Sequence, residues 1–178
     1  MKVAQLLCDI GDAYDSGKYR VIANKGGTRS GKTYSLLMWL LKICVEANSN
    51  TLISVVSESI PHLKRGAMRD FEKIIDMVGM REGTHFDHNR SSRTYTFGHG
   101  CIEFFSADNS DKVKGAQRDI LFINECNHIK FDTYRQLAVR TAKTIFIDFN
   151  PTSRFWFEDK GIETQDPTTT LHLTYKDN

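Results

Sequence analysis

The sequence has little proline, no long apolar run and no segment that resembles a signal peptide. Its three prolines, with 40% hydrophobic and 26% charged residues, are ordinary for a globular protein, so extended disorder is not expected. The longest uninterrupted apolar run, Leu36 to Leu41, is far shorter than the roughly 20 residues that cross a bilayer. The amino terminus has no cationic segment leading into an apolar core. We therefore expect a cytoplasmic protein with no membrane association.

The cysteine content and the net charge are also uninformative about special chemistry. The four cysteines stand far apart and form no CxxC pair, which predicts free thiols and no structural metal. A net charge of +2 is too small to indicate nucleic-acid binding by itself. A length of 178 residues fits one compact domain and is short for two.

The order of apolar patterns predicts an α/β fold. Short β-favouring runs alternate with helical stretches, which indicates a mainly parallel central sheet flanked by helices. The main segments are strands at Tyr19–Ala23, Thr51–Val56, Ile120–Ile123 and Thr144–Phe149, and helices at Lys32–Ala47 and about Phe131–Arg140.

Two further elements complete the predicted fold. The alternating segments Arg93–Phe97 and Cys101–Phe105 flank Gly98-His99-Gly100 and predict an antiparallel hairpin. One amphipathic helix is expected to open at Pro61 and to close at Gly79.

A glycine-rich loop between the first strand and the first long helix matches G-x-x-x-x-G-K-[ST] at every fixed position. Its backbone N–H groups and the following helix terminus form an anion site suited to phosphates. Lys32 is expected to reach the β and γ phosphates, and the Thr33 hydroxyl to bind Mg²⁺. The predicted nucleotide-binding loop is Gly26, Gly27, Thr28, Arg29, Ser30, Gly31, Lys32 and Thr33.

A second predicted site follows the apolar strand that ends at Ile123. Glu125 stands where a water-polarising carboxylate is needed for hydrolysis. Asn124 occupies the Mg²⁺-associated position, which usually holds aspartate, and an amide offers an oxygen but no charge. Asp119, at the other end of the strand, is expected to be a solvated charge. The strand is followed by no D-x-x-G and the loop by no N-K-x-D, so ATP is favoured over GTP.

Arg29 has two possible roles. It can stabilise charge on the transferred phosphoryl group from within the same subunit, or it can be a solvated loop residue. An arginine from a neighbouring subunit is the alternative source of that charge, with Arg65, Arg118, Arg140 and Arg154 as candidates.

Three segments together resemble the ATPase domain of tailed-phage terminase large subunits. They are KYRVIANKGGTRSGKT, DKVKGAQRDILFINEC and TIFIDFNPTSRFWF, and the resemblance covers roughly residues 18 to 178. It implies a P-loop NTPase of the ASCE type. Residues 1–17 are expected to be a lead-in, and residues 170–178 the start of a linker to a nuclease domain, so no nuclease activity is expected in this chain.

The resemblance also implies roles for individual residues. Lys32, Glu125 and Arg29 are expected to be catalytic, and ATP and Mg²⁺ to be the cofactors. Asn150 and Pro151 match the motif that couples hydrolysis to movement, with Asn150 as a γ-phosphate sensor. Tyr19 and Arg20 stand where the family contacts the base or supports the loop.

The function implied by the resemblance is ATP-driven packaging of double-stranded viral DNA into a procapsid. The implied partners are that DNA, the portal protein, the small terminase subunit and further copies of the chain in a ring. The protein is expected in the host cytoplasm, docked on the portal during packaging and absent from the finished virion. Alternatives are a helicase or small-molecule kinase with the same ATP site, or an assembly module that binds ATP with little turnover.

Overall fold

Helices α1 to α7 and short helical turns surround one sheet. The computed structural model describes residues 2–28, 30–115, 117–165 and 167–173, with the side chains of residues 5–172 inside those ranges. The α-helices are α1 Lys2–Asp15, α2 Lys32–Val45, α3 Ile60–Leu63, α4 Arg69–Met77, α5 Ser110–Val113, α6 Phe131–Val139 and α7 Trp156–Asp159. Short 3₁₀ turns span Cys126–His128 and Ile162–Thr164. No helix in these ranges has both the length and the apolar character needed to span a membrane.

In the described part of the chain, the sheet contains eight strands in the order β3-β4-β5-β2-β6-β7-β1-β8. The run from β5 to β8 is parallel, and β3 and β4 add antiparallel pairs at one edge. The strands are β1 Val21–Gly26, β2 Thr51–Ser57, β3 Asp87–Asn89, β4 Thr94–Phe97, β5 Gly100–Ser106, β6 Arg118–Ile123, β7 Thr141–Phe149 and β8 Thr168–Leu173.

The central strands are apolar along their whole length because both faces of the sheet are covered. Along β6, Ile120 and Phe122 face a core shared with α1, α2 and α4, while Leu121 and Ile123 face a second core shared with α6 and α7. β7 alternates in the same way. The continuous apolar runs in the sequence therefore become two cores, one on each face.

The predicted α/β fold is confirmed, including the hairpin. β4 and β5 pair antiparallel, with Phe97 opposite Gly100. The segment expected to be a lead-in contains α1, which packs on α2 through Leu6 and Ile10. Residues 170–173, expected to begin a linker, instead belong to β8, which pairs with β1 at the sheet edge; residues 174–178 lie outside the described residues.

The prediction of one helix from Pro61 to Gly79 is wrong. A π-helical segment at Lys64–Met68 separates α3 from α4, and Gly66 has non-helical angles (φ −107°, ψ −106°). The break brings Gly66 close to the Asn124 side chain, where an added Cβ would lie 3.8 Å from Oδ1. Wide helical turns of this kind are frequent at functional sites, and amphipathic periodicity alone does not reveal them.

Asp119 is not the solvated charge that was expected. Its Oδ2 accepts a hydrogen bond from the Leu52 backbone N–H (2.9 Å), and its Oδ1 lies 3.3 Å from Lys143 Nζ. The carboxylate therefore links three neighbouring strands at the end of the sheet opposite the carboxyl ends of the parallel strands.

We predict that Gly100→Ala destabilises the fold. A Cβ at Gly100 would lie 2.1 Å from the Cys44 carbonyl oxygen, and a backbone group cannot move aside as a flexible side chain can. We expect a loss of about 2 kcal/mol or more, measured by thermal or denaturant unfolding. His99→Ala, which changes the exposed neighbouring side chain, is the control. A melting temperature of Gly100→Ala equal to that of this control would contradict the close approach.

Candidate functional site

The carboxyl ends of β1, β2, β6 and β7 meet at one edge of the sheet, because these strands are parallel. Ligands of open α/β sheets bind at such edges. A cleft of about 690 Å³ lies there, within the size range of small-molecule sites. Its walls come from the glycine-rich loop, the turn after β6, the end of β7 and the interrupted helix after β2.

The glycine-rich loop connects β1 directly to α2. Gly31 has φ +80°, a left-handed conformation that glycine adopts without a side-chain clash, and α2 begins at Lys32. The start of α2 therefore directs its backbone N–H groups and its positive dipole end at the cleft. Thr28, Ser30, Gly31, Lys32 and Thr33 all line the cleft.

The Lys32 ammonium group lies inside the loop and is buried. Its Nζ donates to the carbonyl oxygens of Gly26 and Gly27 (2.9 Å each) and contacts Ser30 Oγ at 3.3 Å. Burial lowers the pKa of Lys32, and the negative charges of Asp148 and Glu125 oppose that shift. A cation held in this position provides a charged partner for phosphate oxygens.

Asn150 is joined to the loop through Lys32. Its Oδ1 accepts a hydrogen bond from Lys32 Nζ at 3.0 Å, so the residue that follows β7 contacts this lysine directly. Pro151 follows as an exposed residue. The predicted role of Asn150 as a γ-phosphate sensor stays a prediction.

Glu125 lies at the turn that follows β6. Its backbone is left-handed (φ 52°), a conformation uncommon for a residue with a side chain. Its Oε2 lies 3.0 Å from His62 Nε2 and 3.9 Å from His128 Nε2. The carboxylate thus lines the cleft and contacts a residue of the helix on the opposite wall.

The structure adds one acidic residue that the sequence reasoning missed. Asp148, at the end of β7, is 1% exposed. Its Oδ2 lies 2.5 Å from the Thr33 hydroxyl, and its Oδ1 accepts from the Glu125 backbone N–H (2.6 Å) and the Asn124 amide (3.2 Å). Burial raises the pKa of Asp148, and these three hydrogen bonds together with the charge of Lys32 oppose the increase.

A sequence signal for Asp148 existed. It is the only charged residue in the otherwise apolar end of β7, residues 144–149, and burying an ionisable group there is costly unless it has partners. An acid at the carboxyl end of a central strand, beside the strand of the phosphate loop, is therefore a candidate site residue.

Tyr19 and Arg20 do not line the cleft, whereas the resemblance implied that they contact the base or support the loop. They precede β1, at the end opposite the glycine-rich loop, and a strand of six residues spans about 20 Å. The Arg20 guanidinium donates to the carbonyl oxygens of Ala138 (3.0 Å), Thr141 and Lys143. These hydrogen bonds connect the residue before β1 to the end of α6 and to the start of β7.

The four other arginine candidates have different surroundings, and Arg140 donates to the carbonyl oxygens of Lys114 (3.0 Å) and Gln136 (3.1 Å). Arg118 is buried and donates to the Leu137 and Lys112 carbonyl oxygens, both at 3.3 Å. Arg154 is exposed and lies 3.5 Å from Asp159. Arg65 lines the cleft. Arg29 lies outside the described residues, and its predicted role stays a prediction.

The residues present fit a nucleotide with its magnesium ion. Lys32, the loop N–H groups and the start of α2 suit phosphates, while the Thr33 hydroxyl and the Asp148 carboxylate are hard oxygen ligands of the type that Mg²⁺ selects. When bound, Mg²⁺ would neutralise charge on the phosphates. Thr33 and Asp148, which already contact each other, are the protein groups placed to hold it.

The fold and the site define a class of protein. A phosphate loop follows β1, an acid follows β6, and β7 lies between these two strands, as in P-loop NTPases of the ASCE type. Residues 25–149 match the family described as "Terminase large subunit, T4likevirus-type, N-terminal". The chain belongs to this terminase large-subunit family. Comparison with curated protein sequences gives no match.

Solved structures of similar fold are phage large terminases. The large terminase of a thermophilic bacteriophage has a TM-score of 0.83 at 19% identity, covering 100% of this chain and 46% of that one. The complex of that terminase with ATP-gamma-S gives a TM-score of 0.77 at 20% identity, with 100% and 45% coverage. The HK97 bacteriophage large terminase gives 0.73 at 14% identity, with 96% and 38% coverage. The chain thus spans less than half the length of these proteins.

We predict that Arg20→Ala lowers stability without changing nucleotide affinity. Removing the guanidinium leaves carbonyl oxygens without their charged donor, so we expect a loss of roughly 1–3 kcal/mol in the free energy of unfolding. Nucleotide affinity should stay unchanged because Arg20 lies at the far end of β1. The measurements are chemical denaturation and titration with a fluorescent ATP analogue.

The matched control for Arg20 is Lys18→Ala, which removes an exposed positive charge from the same edge of the sheet. It should change neither quantity. Weakened nucleotide binding by Arg20→Ala at unchanged stability would restore the original assignment to the nucleotide site.

Proposed function

We propose that this chain binds and hydrolyses Mg-ATP, and that hydrolysis drives double-stranded DNA into a viral procapsid. The observation that carries the hydrolytic part is the meeting of Lys32, Glu125 and Asn150 around one cleft. A protein that only binds ATP needs the loop and the lysine, but it has no use for a second-strand carboxylate that can polarise water. The same carboxylate argues against the assembly-module alternative.

The chemistry of the proposal assigns separate tasks to these residues. Lys32 and the loop N–H groups hold the phosphates and stabilise charge on the transferred group. Glu125 orients and polarises the attacking water, for which its carboxylate must leave His62 or share its contact with water. Asn150, bonded to Lys32, reports whether the terminal phosphate is present. Arg29 is the proposed additional charge from within the subunit.

The DNA-packaging part rests on the family and on the similar structures. These include phage large terminases and a structure described as the Phi-28 gp11 DNA packaging motor, which has a TM-score of 0.53 at 13% identity. We propose the partners of such a machine for this chain: double-stranded DNA, the portal protein, the small terminase subunit and a ring of further copies. The proposed location is the host cytoplasm, at the procapsid portal and not in the finished virion.

We predict that the 178-residue chain hydrolyses ATP in the presence of Mg²⁺ and that two substitutions stop it for different reasons. Lys32→Ala should weaken nucleotide binding. Glu125→Gln should keep binding and lower kcat by about 100-fold or more, because a positioned general base contributes that much. Steady-state phosphate release with and without double-stranded DNA, together with nucleotide titration, measures both effects.

The matched control is Glu58→Gln, which neutralises an exposed carboxylate just after β2. It should behave as wild type. ATP binding by the wild type without turnover, at high protein concentration and with DNA, would replace the motor with the ATP-binding module. Phosphate transfer to an added acceptor would indicate a kinase instead, and DNA-strand separation a helicase.

A further prediction concerns Asn150. Asn150→Ala should lower kcat about tenfold, the size usual when a partner that orients a functional group is lost, with a smaller change in ATP affinity. Thr152→Ala, which changes an exposed residue two positions further on, is the control. An unchanged kcat in Asn150→Ala, measured at saturating ATP, would remove Asn150 from the sensor role.

A further inference from the structure

The cleft has an unusual distribution of negative charge. The position after β6 that usually holds an aspartate near Mg²⁺ holds Asn124, which carries no charge. On the neighbouring strand β7, the carboxylate of Asp148 lies next to it, one position beyond the paired residues Ile123 and Ile147. The carboxylate usually found after β6 is therefore replaced here by one on the neighbouring strand β7.

The orientation of Asn124 follows from its neighbours. A carboxylate only accepts hydrogen bonds, so the amide NH₂ group must face Asp148, and Nδ2 lies 3.2 Å from Oδ1. The amide oxygen then faces the Ser57 hydroxyl at 3.1 Å. Nδ2 also donates to Thr33 Oγ1, at 3.4 Å. In this arrangement Asn124 presents N–H groups, and no oxygen, to the hydroxyl predicted to bind Mg²⁺.

Asp148 provides the carboxylate oxygen that the Asn124 side chain lacks. Its Oδ2 lies 2.5 Å from the Thr33 hydroxyl, and the side chain is almost completely removed from solvent. Its neighbours in the sheet are amides on both sides, Asn24 on β1 and Asn124 after β6. Asp148 is thus the one carboxylate among these three adjacent positions.

We propose that Asp148 is the metal-positioning carboxylate of this ATP site, in place of the aspartate usually found after β6. This proposal rests on the proposed Mg-ATP function and assigns the charge of its metal site to a different strand. Asn124 is then the complement of Asp148, because its amide donates to the carboxylate. An aspartate at position 124 would instead put two carboxylates within hydrogen-bond distance, which disfavours ionisation of both.

A purely structural role for Asp148 makes a different prediction. Its Oδ1 accepts from the Glu125 backbone N–H and so supports the left-handed turn at Glu125. Loss of that bond alone would lower stability and disturb Glu125, but it would leave the effect of Mg²⁺ on nucleotide affinity unchanged. The two roles are separated by measuring the metal dependence of binding, not the rate of hydrolysis.

The test compares the dissociation constant of a fluorescent ATP analogue in Mg²⁺ with that in EDTA, using the wild-type chain and two Asp148 variants. For Asp148→Asn we expect the enhancement of affinity by Mg²⁺ to fall about tenfold or more. The double variant Asn124→Asp/Asp148→Asn returns one carboxylate to the usual strand, and the enhancement should recover. Electron paramagnetic resonance of Mn²⁺ with ATP should show the same loss and recovery of the bound ion.

Asp119→Asn is the matched control, since Asp119 is also a partly buried sheet carboxylate that accepts a backbone N–H. It should keep the wild-type enhancement. An enhancement in Asp148→Asn equal to that of the control would overturn the proposal. So would an equal loss in Asp148→Asn and the double variant, because that result assigns the effect to the Glu125 turn.

Failure of the Asp148 assignment and failure of the proposed ATP function give different results. If Asp148→Asn does not fold, the double variant Asn124→Asp/Asp148→Asn tests the proposal alone. The proposal requires that Mg²⁺ enhance the nucleotide affinity of this double variant as much as that of the wild type, and a smaller enhancement overturns the proposal. If the wild type binds no nucleotide, the proposed ATP function itself fails. If the wild type binds nucleotide but Asp148→Asn retains the Mg²⁺ effect, only the assignment of Asp148 fails.

Discussion

The hydrogen bonds around the Asp148 carboxylate connect β7 with the start of α2 and with the turn after β6. One oxygen contacts the first turn of α2 through Thr33, and the other accepts from Asn124 and from the backbone of Glu125. A buried carboxylate is costly unless such partners surround it. The phosphate loop and the turn after β6 are therefore held in a fixed relation by one group that belongs to neither of them.

The position of β7 makes this possible. It lies between β1 and β6 in the sheet, so its end reaches both the loop and the acidic turn. Asp148 contacts Thr33, and Asn150 contacts Lys32, so together they bind the last two positions of the glycine-rich loop. These contacts connect the end of the loop to β7 and, through the Glu125 N–H, to the turn that carries the Glu125 carboxylate.

The interrupted helix after β2 adds the opposite wall. His62 contacts Glu125, and the π-helical segment brings Gly66 next to Asn124. Arg65 and Arg69 line the same cleft. The backbone of this wall departs from a regular helix at Gly66.

The sequence by itself determined the phosphate loop, the parallel sheet, the hairpin and the acid after β6. Each depends on local pattern: fixed glycines and a lysine, apolar runs buried on both faces, or turn residues between alternating segments. Only the tertiary structure decided that Arg20 caps carbonyl oxygens at the far edge, that the helix breaks at Gly66 and that Asp148 meets Thr33. The contacts of Arg20 and Asp148 depend on strand order and register, which bring together residues more than a hundred positions apart, as in the contact between Thr33 and Asp148. The break at Gly66 is a backbone departure that amphipathic periodicity does not reveal.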